Sequence, residues 1–529
     1  MTSQNPIAQL HHRQALHFLY PYFHVYEAAV MTLDPSIYVN LLVEKFHLIP
    51  GSQILMRYIK SSYQDDPIRS IIELFLVFFT LRYLLSKRYR PDKNYVKFTQ
   101  QVHIHIRVYS KGQEIDDLVD EWQPESLVTP LSRQDQTELD KIPVIIGPAG
   151  PKVRIQSHPK PVLSASTFNF LNLHSSCALR ERAVSALRTY GVGACGPPGF
   201  YGTQDVHVNL EKELATFLDV PASIIYAQAY STVSSVIPSF AKRGDIIVAD
   251  KGISFPIQKG LSISRSTILW YEHNDVDSLE LVLDQVRREF SKKPLTRRFI
   301  VTEGLFESTG KILDLPKILE LKRKFKYRLI LDESISFGTL GRTGRGISEH
   351  WGCHASDIDI LIGSYAHAIS SAGGFCAGSE EVVAHQRINS PSYVFSAALP
   401  AMLGAVSIGA LEILKKDDGE MIKTLRELTK VMRTGLNRID GISVSGDSDS
   451  PMVLISLKEP VPEEDKILQD IVDECINNGI LITRTKRVGQ EMWPVRSSLR
   501  LCVGLGMAKR DVERTISVLR GAFNRRRSR

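Results

Sequence analysis

RRFIVTEGLFESTGKILDLPKILELKRKFKYRLILDE, residues 297–333, is the stretch from which the fold can be read. It opens on a short apolar run, RRFIVTEG (297–304), and closes on another, YRLILDE (327–333), with an amphipathic segment from Leu315 to Lys326 between them. Two apolar runs bridged by one helical period predict a βαβ unit and hence parallel strands. The same alternation extends outward through IIYAQAY (224–230), DIIVAD (245–250), STILWYEH (266–273) and DILIGSY (359–365), with a further amphipathic segment at Asp277–Glu289. The expected fold class is therefore α/β, with a mostly parallel sheet. Ligands of such sheets bind beyond the carboxyl ends of the strands, which puts Asp250, Glu303, Asp332 and Tyr365 where a site should be. After about residue 410 the periods reset into one long helix to Asn437, a strand SPMVLISL (450–457), a helix Lys466–Asn478, a strand SSLRLCVGL (497–505) and a last helix, a smaller α+β domain.

The 529 residues are 43% hydrophobic and 23% charged, as in a globular protein with full cores. A net charge of +7 raises the question of nucleic acid, but the basic residues are dispersed. Only KRYRPDK (87–93) and the RRRSR tail (525–529) cluster, and both read as solvated or membrane-proximal charge. Six cysteines, at 177, 195, 353, 376, 475 and 502, have neither metal nor disulfide-framework spacing, which points to a reducing compartment and no structural zinc.

No cleavable signal peptide is expected at Met1–Arg13. The long apolar run is IRSIIELFLVFFTLRYLL (68–85), near the lower limit for spanning a bilayer and interrupted by Arg69, Glu73 and Arg82. It is expected to be one transmembrane helix, with a buried or interfacial helix as the alternative. The basic residues on its C-terminal side would place the body in the cytosol. Leu16–Leu33, with Pro21 and Glu27, reads as a helix lying on the membrane. The expected organisation is a membrane-associated region (1–90), a Pro- and charge-rich linker (91–160), a large domain (161–410) and a small C-terminal domain (411–529). Within the linker, IDDLVDEW (115–122) has a helical pattern and VHIHIRVYS (102–110) alternates like a strand, with no function assigned to either.

Two loops carry the chemistry. YGVGACGPPGFYGT (190–203) has five glycines, which allow very close backbone approach to a ligand or a neighbouring subunit, and it keeps the bulky residues Cys195, Phe200 and Tyr201. The second is GSYAHAISSAGG (363–374). Together with YGVGACGPPGFYGTQDVHVNLE (190–211), HND (273–275), RRFIVTEGLFESTG, LDESISFGTLGRTGRG, AGGFCAG and INSPSYVFSAALP, all in order, it resembles the α-oxoamine synthases, fold-type-I enzymes that use pyridoxal 5′-phosphate (PLP), and among them the serine palmitoyltransferases. The similarity runs from about Ile115 to the C-terminus.

The resemblance implies a fold-type-I PLP-transferase body, and residue by residue it implies a disabled site. Ser254 stands where active members have a ring-stacking histidine, Ile335 where they have another histidine, and His367 where they have the lysine. An imidazole cannot form the imine, which needs a primary amine. Asp332 matches the carboxylate that pairs with the pyridinium nitrogen, and equally suits a strand-end cap of the next helix. YVFSAALP matches the segment that reaches a partner's PLP phosphate, with Ser396 and the N–H groups beside Ala397 as donors. Ser396 would also suit an N-cap before the Ala-rich run 397–410. Tyr190, Gly193, Cys195, Gly196, Phe200, Tyr201, Gly202 and Ser334 are expected near the partner's site, with Cys195 a packing residue rather than a reactive thiol.

The implied holoenzyme condenses L-serine with palmitoyl-CoA to 3-ketosphinganine at the endoplasmic reticulum membrane. PLP would be held by a homologous lysine-bearing subunit, with a small activating subunit and membrane regulators as further partners. No metal is implied. The other functions open to the sequence are a scaffold with no part in catalysis and a self-sufficient homodimeric acyltransferase.

Overall fold

The computed structural model describes residue 45 and residues 52–65, 67–85, 119–123, 126–292, 294–485, 491–493 and 495–527. The chain divides into two compact units, 1–129 and 130–529. In the first, Ser52–Asp65 and Pro67–Leu85 are helices. Among the described residues no helix is long and apolar enough to cross a membrane, which corrects the expectation of a span at 68–85. The helix is there, but the charges of Arg69, Glu73 and Arg82 within it break the apolar run. The segments 16–33 and 102–110, the KRYRPDK run and most of 115–122 lie outside the described residues.

The second unit is organised by a seven-stranded sheet. Its strands are β1 (Ala222–Tyr226), β2 (Ile246–Asp250), β3 (Thr267–Tyr271), β4 (Arg298–Glu303), β5 (Arg328–Asp332), β6 (Ile360–Ser364) and β7 (Gly374–Gly378). They lie in the order β1-β7-β6-β5-β4-β2-β3, and only β7 runs against its neighbours. β2, β6 and β7 are buried at every residue. That is the signature of a sheet covered on both faces, and it is why these strands read as unbroken apolar runs rather than alternating ones. The six parallel strands agree with expectation. β7, GFCAG, was not anticipated, because two of its five residues are glycine and it is too short to show a period.

The small domain has an antiparallel sheet in the order Ile442–Ser445, Met452–Leu457, Leu499–Cys502, Thr483–Arg484. Its helices include Glu464–Asn477 and Lys509–Arg527. The long helix expected to reach Asn437 is two helices, Ala401–Asp417 and Glu420–Leu436, broken where Asp418 (φ 48°) and Gly419 (φ 97°) turn left-handed. Two basic residues at the C-terminal end are ion-paired, Arg525 with Glu474 and Arg526 with Asp470, so that part of the tail is not free charge.

The segment expected to be linker contains structure. Arg133–Asp140 is a helix closed by a Ser132/Asp135 capping box, and Ile145–Ile146 and Lys152–Ile155 are strands. With Val162–Ser164 and Ile480–Leu481 they form a second four-stranded sheet. Val162–Ser164 runs parallel to Ile480–Leu481, so the start of the body and its far end share one element.

Candidate functional site

The carboxyl ends of β2, β4 and β5 bring the expected residues together. Asp250 ends β2 fully buried and accepts from the N–H groups of Gly252 (2.6 Å) and Asn274 (2.7 Å) and from His273 Nδ1 (2.9 Å). His273 Nε2 lies 2.9 Å from Thr309 Oγ1, and its ring sits between the edge of Phe306 and Trp493. HND is thus a clasp that joins the loops after β2, β3 and β4, and Gly252 is needed there because a Cβ would stand 2.3 Å from His273 Nδ1.

Glu303 and Asp332 are register partners on adjacent strands. Burial pushes Glu303 well above the usual carboxylate range, and the Asp332 charge adds to it, whereas the Ser254 N–H opposes the shift. Burial raises Asp332 as well, against the N–H and hydroxyl of Ser334. Two adjacent carboxyls with so little water cannot both ionise cheaply. Asp332 Oδ1 accepts from Ser334 N (2.8 Å) and Ser334 Oγ (2.6 Å). Through Oδ1 it closes its own turn, an Asx-type arrangement.

His367 stands where β6 gives way to the lysine-less loop. Its Nδ1 is 2.7 Å from the Ser334 carbonyl, so Nδ1 carries the proton and donates, and Nε2 is the basic nitrogen. Phe168 meets the ring edge-on at 4.8 Å. A cavity of 180 Å³ lies here, lined by Tyr230, Ser254, Glu303, Asp332, Ile335 and His367 among others. Beside it, sharing Ser254 and Glu307, is a 380 Å³ cavity flanked by Lys251, Trp493 and Arg500. Arg500 pairs with Glu307 at 2.7 Å and lies over the Phe168 ring, and Lys251 pairs with Glu272.

These side chains do not fit covalently held PLP. No primary amine lines the 180 Å³ cavity. Ser254 offers no π face, and one oxygen of the Asp332 carboxylate, Oδ1, is already taken up by Ser334. What the site can do is hold polar groups in a mostly self-satisfied network.

Three residues matter here that the sequence reading did not single out. Arg500 and Glu307 are 193 residues apart, and nothing local marks them as a pair. Glu333 lies just beyond β5 and is 1% exposed. One of its oxygens accepts from Ser336 Oγ and Ile347 N, and Oε1 has no partner. Burial pushes its carboxyl up to about 7. Tyr365, expected at the site, is instead fully buried, and its hydroxyl has no partner.

The remaining expected residues are elsewhere on the surface. The glycine loop follows the Cys177–Tyr190 helix and passes through a short turn, Pro198–Phe200. The Gly196 carbonyl accepts from Ala398 N (2.9 Å), which ties the loop to the YVFSAALP segment. Phe200 (63% exposed), Tyr201 (102%) and Phe395 (80%) project from the two joined segments. Gly193 and Tyr190 are half-buried and Gly202 is buried. Cys195 is exposed in this chain with φ 57°, and the packing expected of it is against a partner. Ser396 and Ala397 are exposed, but Ser396 is not an N-cap: Pro400 holds that position before Ala401–Asp417. Ser334 lines the cavity rather than the outer surface.

Residues 162–519 match the Aminotransferase class I and II family, and the chain belongs to it. Within that class, Serine palmitoyltransferase 1 of Dictyostelium discoideum is 39% identical over 452 residues, 83% of this chain and 90% of that protein. Serine palmitoyltransferase 1 of Saccharomyces cerevisiae is 36% identical over 530 residues, covering 90% of this chain and 92% of the yeast protein. Long chain base biosynthesis protein 1 of Arabidopsis thaliana is 37% identical over 404 residues, 76% of this chain and 83% of that one. The chain is a member of this serine palmitoyltransferase 1 family and a transferase subunit. Among solved structures, a Serine Palmitoyltransferase variant from S. paucimobilis with bound PLP–myriocin aldimine superposes with TM-score 0.67 at 20% identity, over 78% of this chain and 98% of that one. The Sphingomonas wittichii enzyme gives TM-score 0.66 at 20% identity with the same coverage. Those two likenesses speak for the fold.

Proposed function

We propose that this chain is the subunit of serine palmitoyltransferase that does not hold PLP, and that it acts by completing and stabilising the site of a homologous, lysine-bearing subunit. The observation that carries this reading is the cavity at the ends of β4 and β5, which has His367 in place of an amine and no lysine in its wall. When bound in the partner, PLP supplies the electron sink for condensing L-serine with palmitoyl-CoA to 3-ketosphinganine, with loss of CO2 and CoA. What this chain contributes is position. Its glycine loop and the YVFSAALP segment form one joined surface. Exposed Phe200, Tyr201 and Phe395 there suit burial against another subunit, and the exposed N–H side of Ser396–Ala397 suits a phosphate. Small activating and regulatory membrane proteins would bind the assembled pair.

The Pro67–Leu85 helix supports membrane attachment, at the endoplasmic reticulum with the body in the cytosol. Phe75, Phe78, Phe79 and Leu85 are all more than 60% exposed, and so large an apolar surface suits a lipid interface better than water.

The test is to isolate the complex from membranes, reduce it with borohydride and map the pyridoxyl group. It should be found on a lysine of the partner. Pyridoxyl-lysine in this chain would overturn the reading, and a pair that turns over serine equally well without this chain would leave only a scaffold.

A further inference from the structure

At the end of the central sheet away from the cofactor-like cavity, the amino ends of β4, β5 and β6 surround a hollow of 730 Å³. That size suits a small-molecule ligand rather than a surface dimple. Its wall is apolar, with Phe240, Phe299, Phe325, Ile360 and Val382, and its rim is basic, with Arg297, Arg298, Lys326 and Arg328.

The rim's two carboxylates, Asp359 and Glu381, are outnumbered by its four cations. Asp359 is shared between Lys322 (2.6 Å) and Arg328 (2.8 Å) and also accepts the Leu329 N–H. Arg297 donates to the Phe240 carbonyl (2.7 Å), and its one carboxylate neighbour, Asp245, stands at 3.9 Å. Lys326 is exposed in a left-handed turn (φ 58°) at the end of a helix whose last turn already carries Lys322, Arg323 and Lys324. Arg298 is the informative residue: its Nε is buried without a hydrogen-bond partner, and nearby Tyr327, 4% exposed, has a hydroxyl in the same condition. Those two atoms are closed off from the hollow, but Arg298 itself lines it beside Arg297, Lys326 and Arg328, and cations gathered round an apolar wall make a place for an anion.

We propose that this hollow is a binding site for an anionic amphiphile, a molecule one alkyl chain of which lies against the Phe299–Phe325 wall and whose carboxylate or phosphate head meets Arg298 and Lys326. The site is separate from the cavity at the carboxyl ends and does not depend on the functional reading above. The β4 and β5 strands that lead from one to the other have six and five residues, roughly 15–20 Å of extended chain. Such a ligand has two natural sources, a free fatty carboxylate or the anionic lipid of the membrane.

The test uses the full chain in its native complex, reconstituted in phosphatidylcholine nanodiscs and photolabelled with a diazirine-bearing long-chain carboxylate. Labelled peptides should include Leu295–Phe299 and Lys324–Arg328. Laurate and dodecyl phosphate should suppress that labelling, whereas dodecanol and dodecylamine should not. If nanodiscs containing phosphatidylserine suppress it without added laurate, membrane lipid is the source. If they do not, the free amphiphile is. Arg298→Met keeps the stem and removes the charge, and should weaken laurate competition about tenfold, the worth of one charge-assisted hydrogen bond. Lys326→Ala, at an exposed position that tolerates change, should weaken it in the same direction. Suppression by dodecanol as strong as by laurate, labelling unchanged in both variants, or labelling confined to Pro67–Leu85 would each overturn the proposal.

Discussion

Gly202→Ala should separate what the glycine loop does for this chain from what it does for a partner. A Cβ at Gly202 would stand 2.1 Å from the Gly196 carbonyl oxygen, 2.6 Å from the Pro197 oxygen and 2.8 Å from the Gly196 carbonyl carbon. All three are backbone atoms, so no side chain can swing aside and the turn itself must open. Overpacking of this kind costs about 1–3 kcal/mol, roughly a five- to 150-fold loss in the population of the native loop. The same displacement would strain the Gly196–Ala398 hydrogen bond that holds the YVFSAALP segment. Gly193 and Gly199 differ, because a Cβ at either meets nothing within 4 Å in this chain and neither has a positive φ. Alanine there should change the chain's own stability by about 0.5 kcal/mol or less. The assay is urea unfolding of each variant, paired with serine condensation by the reconstituted complex. Gly202→Ala should lower the unfolding midpoint and the activity together. Gly193→Ala and Gly199→Ala should leave the midpoint alone and reduce activity, because the space they leave open is where a second subunit would come. An unchanged midpoint in Gly202→Ala would refute the crowding argument, and full activity in both open-glycine variants would place the loop away from any partner.

Cys195 has φ 57°, which costs a non-glycine residue about 1–2 kcal/mol, so Cys195→Gly should raise the chain's unfolding midpoint; Cys195→Trp, projecting into solvent, should barely alter the chain alone yet impair the complex. Glu333 is raised from the ordinary 4.5 to about 7, so its contribution to stability is fully present below pH 4.5 and is lost as pH rises toward 7, a change on the order of 3 kcal/mol. Glu333→Gln should flatten that part of the urea-unfolding profile, and an unchanged pH slope would show that Glu333 is not buried as described. Purified alone and mixed with PLP, the chain should show no imine absorbance and no borohydride-trapped cofactor within 363–374. Deleting residues 1–90 should release the chain from membranes while leaving its association with the partner intact; a truncated chain that still sediments with membranes when expressed alone would count against the helix as the anchor.

How far the sequence could be read depended on whether the deciding contacts were local. Ile246–Asp250 and Ile360–Ser364 are buried on both faces, so their apolar runs had one sensible reading. That 363–374 holds no amine was visible for a similar reason, since chemistry that needs one atom type can be read from residue type alone. The helix break at Asp418–Gly419 escaped notice because apolar periodicity continues on both sides of it, although Gly419 was the available signal. Ser396 was a plausible cap by residue type, but a helix begins where the backbone turns, and here Pro400 sets that point. The Asp332–Ser334 closure was within reach, since an acid two residues before a serine suits an Asx turn. Glu307–Arg500 was not, because that pairing exists only after folding.

The parallel pairing of Val162–Ser164 with Ile480–Leu481 sets a timetable for the ribosome. Val162, Leu163 and Ser164 are buried in the finished protein, and Ala165 and Phe170 accept their hydrogen bonds from Cys502 and Leu505. About 300 residues separate these partners, so at 5–20 residues per second an apolar strand edge waits roughly 15–60 s for its mate. During that interval the large sheet can close but the small domain cannot. The nascent chain therefore carries an open, sticky edge for most of its synthesis, an invitation to chaperones or to wrong strands. A truncation just short of residue 480 should leave that edge permanently bare, and such a product should aggregate even though its seven-stranded sheet is intact.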